Sequence, residues 1–280
     1  MRGPQCDRNL PSTTPQVMPD NATEQCNSSE TVSPPTVGSS SRSDCLAEVL
    51  PGLWIGSLAG LRQLVKSCSL DIPAIGDGRE KAMPPISLPS SLNWTVITIL
   101  DSEKLIGLTN LLLGQCPSFR NPDLKCENVT TGSQRSKVVK HEVWRLEDHP
   151  KADFMSDKLT RILEIIDNAL PSSTVMTTPY IQRQQVNDKE ENTKACFVHC
   201  AQGISRSAAV CAAWYMSRRK SSLQEAMAAI WLVRPQAQPN LGFLAGLRAL
   251  QQCDGNINDA IIRLSNTRGG HEADKEDQAI

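Results

Sequence analysis

Apolar residues in this chain fall into clusters of two different periods, separated by long polar stretches. Leu53-Trp54-Ile55, the β-branched run Trp94–Leu100 and Ala195-Cys196-Phe197-Val198 are short and apolar, and read as buried strands. Lys140–Leu146 reads as a more polar strand. Other segments repeat at helical spacing. Ala59–Val65 is a short helix, and Asp153–Leu170 is a longer one with Phe154, Leu159, Ile162, Leu163, Ile166 and Leu170 on one face. Ser207–Met216 is an apolar helix, and Ser222-Leu223-Gln224-Glu225 is a capping box opening a helix that carries Leu223, Met227, Ile230 and Trp231. Phe243, Leu244, Leu247 and Leu250 form one more apolar face. Alternating strands and helices predict an α/β fold with a central, mainly parallel sheet flanked by helices.

The polar stretches divide the chain. Residues 1–44 are rich in Ser, Thr, Pro, Asn and Gln, with almost no large apolar side chains, so their burial cannot offset chain entropy and a disordered tail is expected. One domain is expected over 45–252, interrupted by irregular insertions at 66–92, 101–137 and 171–193 that exceed ordinary connection lengths. Residues 253–280 are expected to add an extra helix packed on that domain, then a frayed polar end from Gly269 to Asp277. Asp254–Leu264 has a superficial likeness to the last helix of ubiquitin-associated domains, but too few residues follow Cys253 for a three-helix module unless it borrows the preceding helix.

Charge and cysteine content narrow the class. With 29 basic and 30 acidic side chains the net charge is −1, which supplies no field for a polyanion, so nucleic acid is disfavoured as a partner. No apolar stretch approaches a membrane span, and the first residues lack the apolar core of a secretory signal. The ten cysteines are scattered and include no Cys-x-x-Cys pair, so neither a disulfide framework nor a metal site is expected. A reducing compartment follows, cytoplasm or nucleus, and the sequons at Asn21, Asn27 and Asn128 are read as chance. Oligomeric state is not legible in the sequence.

Candidate chemistry is concentrated in His199-Cys200-Ala201-Gln202-Gly203-Ile204-Ser205-Arg206-Ser207, between a strand and a helix. Such a turn aims unsatisfied backbone N–H groups and the positive end of the helix dipole into its concavity, which makes an anion site. The same field favours thiolate over thiol, and cysteines so placed titrate at about 3.5–7.5. Arg206 presents a planar fork able to grip two oxygens of a bound oxyanion.

This loop resembles that of the cysteine-based protein-tyrosine-phosphatase superfamily, His-Cys, five residues, Arg, then Ser or Thr, and within it the dual-specificity phosphatases, as a small atypical member. Glu48–Ser57 resembles the family's opening strand and turn, Trp144–Asp153 its general-acid loop, and Arg234–Phe243 the segment ending in Pro-Asn and an aromatic; together they span most of 45–252. The resemblance implies a phosphatase of phosphotyrosine and phosphoserine/threonine in phosphoprotein substrates, working without a cofactor. Cys200 is then the nucleophile, Arg206 and the N–H groups of Ala201, Gln202, Gly203, Ile204 and Ser205 hold the phosphate, and Asp148 is the acid, with Asp101 in reserve and Asp153 capping the following helix. Ser207 is expected to donate to the departing sulfur, or simply to cap the helix; His199 to order the loop; Asn240 to hydrogen-bond near the loop or to cap a helix. Many relatives have Ala or Gly where this chain has Gln202, and lipid-directed relatives carry loop lysines that it lacks. Phosphoinositides and RNA are therefore lesser substrate classes, glucans are another because no carbohydrate-binding module is evident, and a pocket that binds phosphate without turnover is the contrasting function.

Overall fold

The computed structural model describes residues 45–68, 88, 92–116, 136–171, 174 and 194–276, the last ten without their side chains. The tail, the sequons and most of the three insertions lie outside the described residues.

The first apolar segment is a hairpin rather than one strand. β1 (Leu46–Leu50) turns at Pro51-Gly52 and pairs antiparallel with β2 (Leu53–Gly56). Gly52 sits at φ +83°, and its N–H donates to Glu48 Oε1 at 2.9 Å. β3 (Asn93–Leu100), β4 (Lys137–Arg145) and β5 (Lys194–His199) complete a five-stranded sheet in the order β1-β2-β5-β3-β4. β2, β5, β3 and β4 run parallel, so the sheet is mainly parallel as expected. β5 is central, flanked by β2 and β3, which explains why Ala195 to Val198 are wholly buried.

Seven helices flank the sheet among the described residues: α1 (Leu58–Cys68), α2 (Glu103–Leu113), α3 (Asp157–Ala169), α4 (Arg206–Arg219), α5 (Leu223–Val233), α6 (Leu241–Gln252) and α7 (Ile257–Glu276). The side chains of Trp54, Trp94, Val96 and Phe197 share one core cluster with Leu61, Leu64 and Val65 of α1 and Leu113 of α2. Within it the Trp54 and Trp94 rings meet edge to face, 5.6 Å between centroids. α4 packs with α3, α5 and α6 as well as β5 and β2, and so is buried nearly all round. Trp214 Nε1 and Arg218 Nε each donate to Asp167 of α3 at 2.7 Å, satisfying the polar atoms that this packing would otherwise strand.

Several expected boundaries are corrected. Residues 103–113 of the supposed irregular insertion are helix α2, starting after Ser102 and burying Ile106, Thr109 and Leu113. α3 begins at Asp157 with Ser156 at the N-cap, so Asp153 does not cap it. The intervening Phe154 is an anchor instead, packed against Trp144 at 6.2 Å and Phe243 at 5.0 Å between centroids. The polar end does not fray at Gly269: α7 runs to Glu276. α6 stops in a Schellman turn, with Gly255 N–H to Leu250 O at 2.9 Å and Asp254 at φ +48°. That reversal lays α7 back on α6, burying Ile257 and Ala260.

Candidate active site

Cys200 follows the last residue of the central strand, and Arg206 opens the helix after it. The carboxyl ends of parallel strands are where open α/β sheets gather their sites, because the backbone turns there into helix N-termini. Cys200 is 2% exposed. Its Sγ accepts the Gly203 N–H at 3.2 Å and lies 3.4 Å from Ser207 Oγ. Ser205 occupies the N-cap position of α4, so Ser207 lies within the helix and its hydroxyl is turned to the sulfur rather than used as a cap. Two neighbouring thiols stay inert. Burial pushes Cys196 and Cys211 up, which keeps them protonated and marks them as core residues.

The loop from Cys200 to Arg206 is held from outside. Leu58 N–H donates to Ala201 O at 3.2 Å, and Gln238 N–H to Ile204 O at 2.7 Å. Arg234, 3% exposed, donates from Nη2 to Gln202 O at 2.7 Å and from Nε to Gly203 O. Gly203 has φ +70°, and a Cβ there would meet Gly56 O at 2.5 Å and Arg234 Nη2 at 2.6 Å. Both the left-handed backbone and the lack of space require glycine.

The other predicted residues converge on the same loop. Asp148 Oδ1 accepts from Ser205 Oγ at 2.7 Å and from Asn240 Nδ2 at 2.9 Å, while Oδ2 lies 3.7 Å from Arg206 Nε. The two roles expected for Asn240 are both filled, by opposite ends of one amide: Oδ1 accepts Phe243 N–H at 3.0 Å and caps α6. The acid loop is seated on that helix. A Cβ on Gly242 would fall 1.9 Å from Pro150 O, so glycine is what lets the loop approach closely enough for Asp148 to reach Ser205. Arg206 Nη1 donates to Asp101 Oδ1 at 3.1 Å and to Leu146 O at 3.2 Å; its buried Nε has no hydrogen-bond partner among the described residues. Asp101 is thereby given other work than proton transfer. Its partial burial raises the carboxyl pKa, but hydrogen bonds from its own and the Ser102 backbone, together with the Arg206 guanidinium, outweigh that and hold it below the usual carboxylate range. Gln202 is exposed at the rim of the loop.

His199 is fully buried and heads a hydrogen-bonded chain that the sequence reading missed. Its Nδ1 faces Cys200 O at 3.3 Å and must donate there, so Nε2 accepts from Thr98 Oγ1 at 2.8 Å. The Thr98 hydroxyl oxygen then accepts from His141 Nε2 at 2.9 Å. The chain is legible only in three dimensions, since Thr98 and His141 lie on β3 and β4. Burial pushes His199 down to about 3, helped by His141 and resisted by the Cys200 carbonyl; burial likewise pushes His141 down to about 4 against the pull of Glu142. Both rings are therefore neutral. In the unfolded chain each binds a proton near pH 6.5, so between about 6.5 and 4 the unfolded state holds more protons and stability falls as pH falls. The loss is on the order of 1.4 kcal/mol per pH unit for each histidine. Thermal midpoints measured from pH 7.5 to 4.5 should fall steadily below 6.5, and a flat profile would contradict neutral burial of the pair.

Comparison with known proteins agrees with this geometry. The family model "Dual specificity phosphatase, catalytic domain" matches residues 125–253, which include the acid loop, the cysteine loop and the Pro-Asn segment. β1, β2, α1, β3 and α2 precede that match, although the sheet joins the three strands to it. Over 58 residues the chain is 48% identical to dual specificity phosphatase 28 of Mus musculus, covering 21% of this chain and 36% of that one. Over 111 residues it is 32% identical to dual specificity protein phosphatase 22-B of Danio rerio, covering 34% and 61% respectively. These matches thus span less than two thirds of either relative's own length. The crystal structure of human DUSP28 superposes with a TM-score of 0.43 at 18% identity, covering 75% of this chain and 94% of that one. The Cys200–Arg206 loop at the end of the central parallel strand lies within the matched segments, and over these segments the comparisons support a member of the dual-specificity phosphatase family.

Proposed function

We propose that this protein hydrolyses phosphate monoesters on tyrosine and on serine or threonine of phosphoprotein substrates, through a phosphoryl-cysteine at Cys200. The observation that carries this reading is the position of Cys200 Sγ, which accepts Gly203 N–H and lies 3.4 Å from Ser207 Oγ at one end of a loop whose other end is Arg206, with a buried Nε that has no hydrogen-bond partner among the described residues. In the first step the thiolate forms the S–P bond as the P–O bond to the side-chain oxygen breaks. The loop N–H groups and Arg206 stabilise the charge on the equatorial oxygens. Asp148 gives its proton to the leaving oxygen. Oδ2 is the oxygen suited to carry it, because Oδ1 already accepts two hydrogen bonds. Water then attacks phosphorus, Asp148 takes up its proton, and the S–P bond breaks with Ser207 Oγ donating to the departing sulfur. We place the protein in cytoplasm or nucleus, where a nucleophilic thiol stays reduced.

Substrate class follows from the loop's lack of cations. Between Ala201 and Ser205 there is no Lys or Arg, so nothing in the loop rewards additional phosphates. Phosphotyrosine and phosphothreonine peptides should both be hydrolysed, with phosphoinositides and RNA triphosphate ends poor by comparison. Parallel phosphate-release assays at matched ionic strength test this. An inositide preferred tenfold over both peptides would overturn the substrate class, and no release from any substrate or from an aryl phosphate would favour a phosphate-binding module.

A further inference from the structure

Four consecutive carbonyls of the cysteine loop are each held from behind: Ala201 O by Leu58, Gln202 O and Gly203 O by Arg234, and Ile204 O by Gln238. A trans peptide unit is planar and carries its C=O and N–H on opposite sides, so fixing a carbonyl aims the next residue's N–H the other way. The four units therefore fix the N–H directions of Gln202, Gly203, Ile204 and Ser205. One of these is seen directly: Gly203 N–H, opposite the Gln202 carbonyl that Arg234 holds, points at Cys200 Sγ at 3.2 Å. Two of the four units depend on one side chain.

On this basis, and resting on the phosphatase reading above, we infer that Arg234 is a positioning residue that turns the loop amides toward the bound phosphate and the thiolate. It is itself firmly placed. Its backbone N–H ends α5 on Ile230 O at 2.8 Å, and the following turn is locked by Ala237 N–H to Arg234 O at 3.0 Å and by Trp231 Nε1 to Ala237 O at 2.7 Å. The guanidinium fork reaches both adjacent carbonyls from two of its nitrogens, where a lysine ammonium on a flexible stem would hold one. The buried positive charge also lies on the back of a loop that gathers negative charge in the transition state.

The test compares the full-length protein with Arg234→Met and Arg234→Lys in four measurements: kcat and KM on 4-nitrophenyl phosphate, inhibition by tungstate, the rate at which iodoacetamide alkylates Cys200 at pH 6, and the thermal midpoint. Arg234→Met is expected to lose about 10²-fold in kcat/KM, the usual cost of a small misplacement of catalytic dipoles. Tungstate should bind more weakly and alkylation should slow, with Arg234→Lys intermediate in both. A lowered midpoint with unchanged tungstate inhibition and unchanged alkylation would show a purely structural role and overturn the inference. If Arg234→Met does not fold, Arg234→Lys decides by the same two readouts. Failure of the phosphatase reading is separable, because it would appear as no turnover by the unsubstituted protein while tungstate binding still reports on the loop.

Discussion

Cys200→Ser is expected to abolish turnover while oxyanion binding persists. A serine hydroxyl here is a weak nucleophile at neutral pH, and the described residues place no general base against position 200 to activate it: its neighbours are an N–H group and the Ser207 hydroxyl. The anion site does not depend on the sulfur. The loop carbonyls remain held by Leu58, Arg234 and Gln238, and Arg206 remains held by Asp101 and Leu146. A loss of about three orders of magnitude or more in kcat, with tungstate affinity changed little, is the expected pair of results. Residual activity within tenfold of the unsubstituted protein would show that Cys200 is not the nucleophile.

The second large effect concerns the acid. Asp148→Asn keeps an Oδ1 acceptor for Ser205 and Asn240, so the loop geometry should survive while the transferable proton is lost. On phenyl and alkyl phosphates the rate should fall by about two to four orders of magnitude, and the loss should shrink with leaving groups that need no proton. Asp101→Asn should behave differently. That carboxylate holds Arg206 Nη1, so its replacement should weaken phosphate binding and raise KM without dependence on the leaving group. A leaving-group-dependent loss at position 101 and none at 148 would reassign the acid.

The comparison of these two aspartates shows where sequence reading runs out. Both stand just past a strand end, and the linear pattern offers no way to tell which one accepts from Arg206 Nη1 and which one reaches the loop through Ser205 and Asn240. Asp153 was misread for a similar reason: helical spacing extends back through Phe154, but that ring is drawn into a cluster with Trp144 and Phe243, and the helix starts only after it. α2 was overlooked although its signal was present. Ser102-Glu103 precedes the buried positions Ile106, Thr109 and Leu113, and Gly107 within that run weakens the helical pattern.

What the sequence by itself determined is local. Continuous apolar runs make strands buried on both faces, the Ser222–Glu225 box starts α5 and is formed as read, and the spacing from Cys200 to Arg206 places a thiol and a guanidinium at the two ends of one short loop. Each depends on residues only a few positions apart, where backbone geometry leaves little choice. What only the tertiary structure decided is how the loop is supported. Arg234 on its carbonyls, His141 reaching His199 through Thr98, Asp148 meeting Asn240, and Gly242 admitting Pro150 all join positions that are dozens of residues apart. Those contacts follow from the order in which β5 is set between β2 and β3 and from the way α5 and α6 return over the loop, and a side chain's own identity does not encode which distant backbone atom it will meet.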